Sequence, residues 1–351
     1  MKKEKSKKKL INLSPIMRRR INNFKSNKRA LWSLRILLVI FLISIFAEFI
    51  ANDKPIIVYY NNSLYFPVFF VYSEKTFDGT FETEADYRDP FVENLINENG
   101  WMLWPPIRFS FNTINYNLKV PAPAPPSWEN WLGTDDQAKD LSAQIIYGLR
   151  TSLLFGILLT ILSPLIGISV GAIQGFFGGK IDLFFQRILE IYSSIPTLYI
   201  LIIVASIIAP SFWLLLGIFL IFGWTSFVGI VRAEFLRARN FDYVRAARAL
   251  GVKNRAIMFR HILPNALAST LTYIPFILNG SIASLATLDF LGLGLPPSEP
   301  SLGRLIAQGK ANLFAPWIGL TSFFVLAILF SLLIFIGEGV RDAFDTKKLF
   351  K

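Results

Sequence analysis

Long stretches without a charged residue alternate along this chain with short, crowded charged ones. No Asp, Glu, Lys or Arg lies between Arg150 and Lys180, between Glu190 and Arg232, between Arg260 and Asp289, or between Lys310 and Glu338. A helix needs about 20 largely apolar residues to cross about 30 Å of hydrocarbon, so the first and the last two intervals each predict one span. The interval from Glu190 to Arg232 is long enough for two. Pro210 and Ser211 near its middle predict the turn between them, because proline cannot continue a helix at its interior. Leu31 to Ile50 adds a further span, with Arg35 and Glu48 close enough to its ends to reach the interface. The pattern predicts an all-α polytopic membrane protein with six transmembrane helices.

The charges orient these spans. The first 35 residues are strongly basic, with Glu4 their one acid, and the end carries Lys347, Lys348 and Lys351. Residues 232–265 are again basic, whereas acids outnumber bases over 52–147. Basic loops stay in the cytoplasm, so both termini and the 232–265 loop are expected inside and the 52–147 segment outside. The expected division is a basic cytoplasmic tail (1–30), a first transmembrane helix (31–51), a large outer segment (52–147), a core of five transmembrane helices (148–342) and a cytoplasmic tail (343–351). A signal peptide fits poorly: its basic region would run to about 30 residues, and Phe46 to Asn52 offers no small-x-small cleavage site. The outer segment, rich in aromatics and in proline from Pro121 to Pro126, reads as irregular and partly strand-forming, either a docked loop with interfacial Trp and Tyr anchors or a lid for a soluble partner.

Composition narrows the chemistry. Of 351 residues 53% are hydrophobic and 17% charged, with a mean hydropathy of +0.47. Ordinary soluble domains carry about 25% charged residues. Cysteine is absent and His261 is the single histidine, which excludes disulfides and thiolate catalysis and leaves little for a metal site. The net charge of +12 needs no nucleic-acid partner, since retention of basic segments inside and attraction to anionic lipid account for it.

Two patterns lie inside the core. Gly167, Gly171, Gly175 and Gly179 recur every four residues after Ser163, which strips one helix face of side chains and predicts close helix packing. Within that stripe Gly167 to Gly171 reads GISVG, a G-x-S-x-G match, but it falls in an apolar helix instead of a strand-to-helix turn and has no base for Ser169. No catalytic, cofactor-binding or metal-ligating residue is expected.

The second pattern is the loop RAEFLRARNFDYVRAARALGVKNRAIMFRHILPNAL, Arg232 to Leu267. Asn240 or Asp242 is placed to cap a short helix from Tyr243 to Leu250, Gly251 suits a left-handed stop, and further helical turns are expected to end at Pro264. Ala246, Ala247 and Ala249 keep part of the helix thin while Arg245 and Arg248 supply charge. Such a helix is either a docking element that lets a partner approach its backbone or an ordinary amphipathic interfacial helix.

These residues resemble the importer-type permeases of ABC transporters, whose cytoplasmic loop carries EAA, three residues, Gly, nine residues and I-x-L-P. Arg245, Ala246, Ala247, Gly251, Leu263 and Pro264 keep the spacing, with Arg245 in place of the Glu and His261 in place of the Ile. The wording RAARALG and RHILPN resembles the oligopeptide and dipeptide branch, as do WLGTDDQAKDLSAQIIYGLRTSL (Trp131 to Leu153) and DFLGLGLPP (Asp289 to Pro297). Within it, ANDKPIIVYY, NGWMLWPPIRF, PSLGRLIAQGKANLFAPWIGL and EGVRDAFD are most similar to Yej-type permeases for microcin C and oligopeptides.

The resemblance implies a type I ABC importer permease fold with a large periplasmic segment after the first helix, in the bacterial inner membrane. It implies that Asp242, Arg245, Ala246, Ala247, Arg248, Gly251, Leu263 and Pro264 form a coupling loop docking on a cytoplasmic ABC ATPase. It further implies a second homologous permease subunit, a periplasmic peptide-binding protein, and ATP with Mg on the ATPase and no cofactor in this chain. Gly179 and Lys180 lack the preceding glycine of a P-loop, consistent with ATP binding elsewhere. The rival is an ion-coupled secondary transporter, which needs an intramembrane acid or inverted repeats that the spans do not display. Asp289, Glu299 and Arg304 near the outer ends of the last two spans could meet the termini of a peptide or be solvated loop residues.

Overall fold

The computed structural model describes residues 15–344; the basic run before Pro15 and the tail with Lys347, Lys348 and Lys351 lie outside the described residues. Helix α1 (Pro15–Ser26) leads into α2 (Lys28–Ile45) through Asn27, whose side chain accepts from the Ala30 amide. Lys28, Arg29 and Arg35 crowd the start of α2, so it is apolar only over its later turns.

The 52–147 segment forms strands in part, as its sequence suggests. Strands β1 (Ile57–Tyr60) and β2 (Ser63–Tyr65) form a hairpin, and helix α3 (Pro90–Asn99) delivers β3 (Gly100–Leu103) to the other side of β1. The resulting three-stranded antiparallel sheet has the order β2-β1-β3, with Tyr59 facing both Leu64 and Trp101. Asn61 and Asn62 both have positive φ, 46° and 63°, the geometry a two-residue hairpin turn needs and Asn tolerates. Alternation along β1 buries Val58 and Tyr60 with Phe77, Tyr87, Val92 and Ile96 in a core of its own. An all-α description therefore holds for the spans and not for this segment, where paired strands satisfy backbone groups that no helix can.

Helix α4 (Leu141–Phe177) opens the core and begins inside the stretch assigned to the outer segment. Asp140 starts it by accepting from the Ala143 amide at 2.8 Å. After it come α5 (Gly179–Ser193), α6 (Thr197–Ile207), α7 (Phe212–Gly223), α8 (Thr225–Ala238), α9 (Asp242–Ala249), α10 (Asn254–Ala256), a π-helical turn over Ile257–Ile262, α11 (Leu263–Leu271), α12 (Ile274–Phe290), α13 (Leu302–Ala311) and α14 (Pro316–Phe344). Among the described residues three helices are long and apolar enough to cross a bilayer: α4, the run from α7 through α8, and α14. Up to five qualify if α5 with α6 and α10–α11 with α12 each make one span, bent by 58° and 54°.

Three to five of the six expected spans thus qualify among the described residues. The first expected span is α2, whose three basic residues keep it outside that set. The span expected after Glu190 is interrupted at Ser194–Pro196, because Pro196 disfavours helical geometry at Ile195. The span expected after Arg260 bends at Thr272 and Tyr273, ahead of Pro275, which has no N–H for the Leu271 carbonyl and whose ring crowds it. At the other proline Ser211 caps α7, accepting from the Leu214 amide at 3.2 Å. The core centres on α4: Leu141, Ile145 and Leu153 pack with α12 to α14 through Ile282, Leu305, Ile318 and Leu329.

Candidate functional site

The end of the core that carries the Arg232–Leu267 loop is built on one close helix crossing. A Cβ on Gly167 would lie 2.4 Å from the Trp224 carbonyl, one on Gly171 2.7 Å from that of Val228, and one on Gly175 2.5 Å from that of Arg232. Backbone meets backbone along three turns of α4 and α8, with Phe227, Val231 and Phe235 filling the sides. Ser163 continues the stripe and is buried. Gly179 does not: α4 ends at Phe177, and Gly178 and Gly179, at φ 62° and 55°, turn the chain into α5, with open space where a Gly179 side chain would be. The four-residue repeat runs through a helix end, so Gly179 serves a turn and not packing.

Two arginines, one on α8 and one just after it, tie that turn down. Arg232 bonds both oxygens of Asp182 on α5, and Arg239 donates to the Phe177 carbonyl at 3.3 Å. Helix α9 leaves this platform. Its first turn holds Asp242, while Phe241 is the cap residue with no side-chain cap bond, so neither Asn240 nor Asp242 caps the helix. Its end has the expected left-handed stop. Gly251, at φ 76°, donates to Arg248 O at 3.0 Å and Val252 donates to Ala247 O at 3.1 Å, the paired bonds of a Schellman ending.

This ending decides which side of α9 faces out. Val244 and Ala247 are buried among Phe176, Val231, Phe235, Ile257, Met258 and Ile262, with Val252 packed beside them. Ala247, 8% exposed, is therefore part of the chain's own core and not available to a partner. Arg248 lies over the Phe176 ring at 5.1 Å. The outward face is made by Arg245, Ala246, Ala249 and Leu250, the last 83% exposed, flanked by Phe241 and Tyr243. Leu250 is not among the contacts expected from the motif. The signal for it is the Gly251 stop itself, since the two bonds that turn the chain inward at Val252 leave the preceding side chain outside. The second half of the loop also departs from expectation: the helix does not end at Pro264 but continues to Leu271. A π turn ends at Ile262, and Pro264 sits in the first turn of α11, where a missing N–H costs nothing. Leu263 is half-buried against the same core and Pro264 is exposed.

At the end of α12 Asp289 is buried, neither a solvated loop residue nor free to meet a ligand. It accepts from Ser301 Oγ at 2.5 Å and from the Leu295 amide at 2.7 Å, closing the loop between α12 and α13. Arg304 donates to the Pro296 and Glu299 carbonyls in the same loop, and burial holds its guanidinium below its ordinary range. Two adjoining hollows share Phe219, Gly223 and Ser284: one of about 470 Å³ between α6, α7 and α12, and one of about 350 Å³ between α4, α7, α8 and α12. Thr197, Ser226, Ser281 and Thr287 add hydroxyls, and no charged residue lines either one.

Residues 167–349 match the family of the binding-protein-dependent transport system inner membrane component, and residues 16–67 match the N-terminal TM domain of oligopeptide transport permease C. The chain belongs to the first of these families and is a membrane permease of the ABC transporter class. Its relatives within that class include YejE permeases. It is 55% identical to the peptidoglycan transport system permease protein YejE of Agrobacterium fabrum, over 96% of this chain and 95% of that one. It is 54% identical to the inner membrane ABC transporter permease protein YejE of Escherichia coli K12, over 96% and 98%. The oligopeptide transport system permease protein OppC of Bacillus subtilis is 33% identical over 68% of this chain and 78% of its own. Among solved structures, an inward-facing form of the MetNI methionine ABC transporter aligns with a TM-score of 0.47 at 18% identity, over 57% of this chain and 96% of that chain.

Proposed function

We propose that this chain is the membrane-spanning permease of an ATP-driven importer that carries peptides or peptide-like compounds, of the microcin C type, across a bacterial inner membrane, with both termini cytoplasmic. The observation that carries the reading is α9: a helix locked by Val244 and Ala247 to the α4–α8 crossing, with Arg245, Ala246 and Leu250 held outward. A cytoplasmic ATPase that seats this face can push it only by moving α4 and α8 as a unit, because the glycine stripe leaves no slack between them. ATP and Mg belong to that ATPase. A second, homologous permease and a periplasmic peptide-binding protein complete the importer.

The largely apolar hollows along α6, α7 and α12, dotted with uncharged hydroxyls, supply this subunit's wall of the route. Uncharged hydroxyls can bond a peptide backbone of any sequence without selecting its side chains, which leaves selection to the binding protein. Ion coupling is disfavoured by the fixed partners of the core carboxylates: Asp182 is held by Arg232 and Asp289 by Ser301 and the Leu295 amide. The test is uptake into proteoliposomes containing the permease pair and ATPase, given loaded binding protein. ATP should drive peptide uptake without a proton gradient; uptake that follows the gradient and ignores ATP refutes the reading.

A further inference from the structure

One stretch of the outer segment is unlike the rest of it. From Pro55 to Ser73 the chain carries no charged residue, although Lys54 and Glu74 bound it and acids are frequent beyond. Strand β1 uses part of the stretch for the segment's own core, burying Val58 and Tyr60. After β2, Tyr72 joins that core, whereas Phe66, Phe69, Phe70 and Val71 leave their side chains exposed. The Phe69 and Phe70 amides both donate to Phe66 O, at 3.0 and 3.1 Å, making a tight knuckle from which Phe69, Phe70 and Val71 project, 64%, 61% and 71% exposed. Leu64, on the edge strand of the same uncharged stretch, is exposed as well.

The knuckle sits at the outer end of α2. The Phe69 ring meets Phe49 edge-on at 5.7 Å, and Phe49 meets Phe46 at 6.2 Å. Phe46 in turn prolongs the exposed apolar side of α2 formed by Val39, Leu42 and Ile43. An apolar surface therefore runs unbroken from the helix within the matched N-terminal TM domain onto the segment outside the membrane. Contiguous apolar surface of this kind is disfavoured in water, and the headgroup boundary of a bilayer is where bulky rings with a polar neighbourhood settle. Phe81 and Trp128, also exposed, differ in lying next to the charged Glu82 and Glu129.

We propose that Leu64, Phe66, Phe69, Phe70 and Val71 insert into the outer leaflet, so that the outer segment is docked on the bilayer by an apolar wedge continuous with α2. The occupant is lipid, and the proposal is independent of cargo and of the ATPase.

The chain is naturally free of cysteine, so single cysteines can be placed in the full-length protein by Phe70→Cys and Val71→Cys, with Trp128→Cys as a reference, since Trp128 is 98% exposed. Each is spin-labelled, reconstituted into phospholipid nanodiscs, and its relaxation compared in oxygen, which partitions into the bilayer, and in a water-soluble nickel chelate. Oxygen should be the stronger relaxant at 70 and 71, with the order reversed at 128. Nickel access at 70 and 71 equal to that at 128 overturns the proposal by placing the knuckle in water. Protection from both relaxants overturns it by placing protein over the knuckle. Val71 lies outside the aromatic cluster around Phe77, so its variant keeps the test valid if Phe70→Cys fails to fold.

Discussion

Arg232 on α8 grips Asp182 on α5 with two bonds, Nε at 2.6 Å from one carboxylate oxygen and Nη2 at 2.7 Å from the other. The pair is largely shielded, with side-chain exposures of 29% and 12%, and it fixes the turn after α4 to the helix that carries α9. Removing one partner leaves the other charge poorly solvated. Asp182→Ala should cost more than the ~1 kcal/mol of an exposed pair and approach the ~3–5 kcal/mol of a buried one. Thermal melting in detergent checks this, with the exchanged pair Asp182→Arg, Arg232→Asp expected to recover part of the loss; a loss equal to the sum of both single changes would contradict it.

The glycine stripe predicts a difference between two positions that look alike in sequence. At Gly175 even a methyl group would lie 2.5 Å from Arg232 O and from Phe235 Cβ, so Gly175→Ala should destabilise by about 1–3 kcal/mol and Gly175→Leu by more. At Gly179 nothing lies in the way, and the cost is the left-handed backbone, about 1–2 kcal/mol whatever the side chain. Melting of Ala and Leu variants at both positions should show size dependence at 175 and none at 179.

Gly251 combines φ 76° with an amide that donates to Arg248 O. Gly251→Ala should cost about 1–2 kcal/mol. Gly251→Pro, which can adopt neither the angle nor the bond, should abolish peptide uptake and stimulation of the partner ATPase while the protein still inserts in the membrane. Normal uptake by this variant would count against α9 as the coupling element.

Two substitutions separate the inner and outer faces of α9. Ala247→Glu places a charge in the core beside Ile257 and Ile262 and should lower the melting temperature sharply. Leu250→Glu changes a solvent-facing residue and should leave melting unchanged while reducing co-purification of the ATPase. Equal melting losses in both would contradict the assigned faces.

Burial holds the Asp140 carboxyl above its ordinary range, against the opposing pull of its bonds from Asn130 and the Ala143 amide. The folded protein therefore takes up this proton at a higher pH than the unfolded chain, so acidification through that range favours the folded state. The melting temperature of the wild type relative to Asp140→Asn should rise between about pH 7 and about pH 4. A fall over that window would show that the hydrogen bonds outweigh burial.

Most of the membrane architecture is legible from charge-free intervals, because the absence of charge is what the bilayer demands. Helix ends are less so. Ile195–Pro196 and Tyr273–Pro275 sit within charge-free intervals and break or bend the expected spans, an effect of local backbone sterics that hydropathy does not register. The loop motif locates α9 and Gly251, yet it cannot tell Ala246 from Ala247, because a short helix between two surfaces is oriented by what it packs on and not by its own pattern. The burial of Asp289 is hidden from the sequence for a similar reason: the partners that enclose it, Ser301 and the Leu295 amide, lie beyond the end of its helix.

The most direct test of the central claim is photo-crosslinking from Leu250 in native membranes, with a photoreactive amino acid replacing the leucine and the products identified by mass spectrometry. Capture of a cytoplasmic ATPase at 250, lost when the same probe stands at Leu165 on the exposed apolar side of α4, is the predicted result. A probe at 250 that reaches only lipid or solvent, in membranes that still take up peptide, would contradict the account.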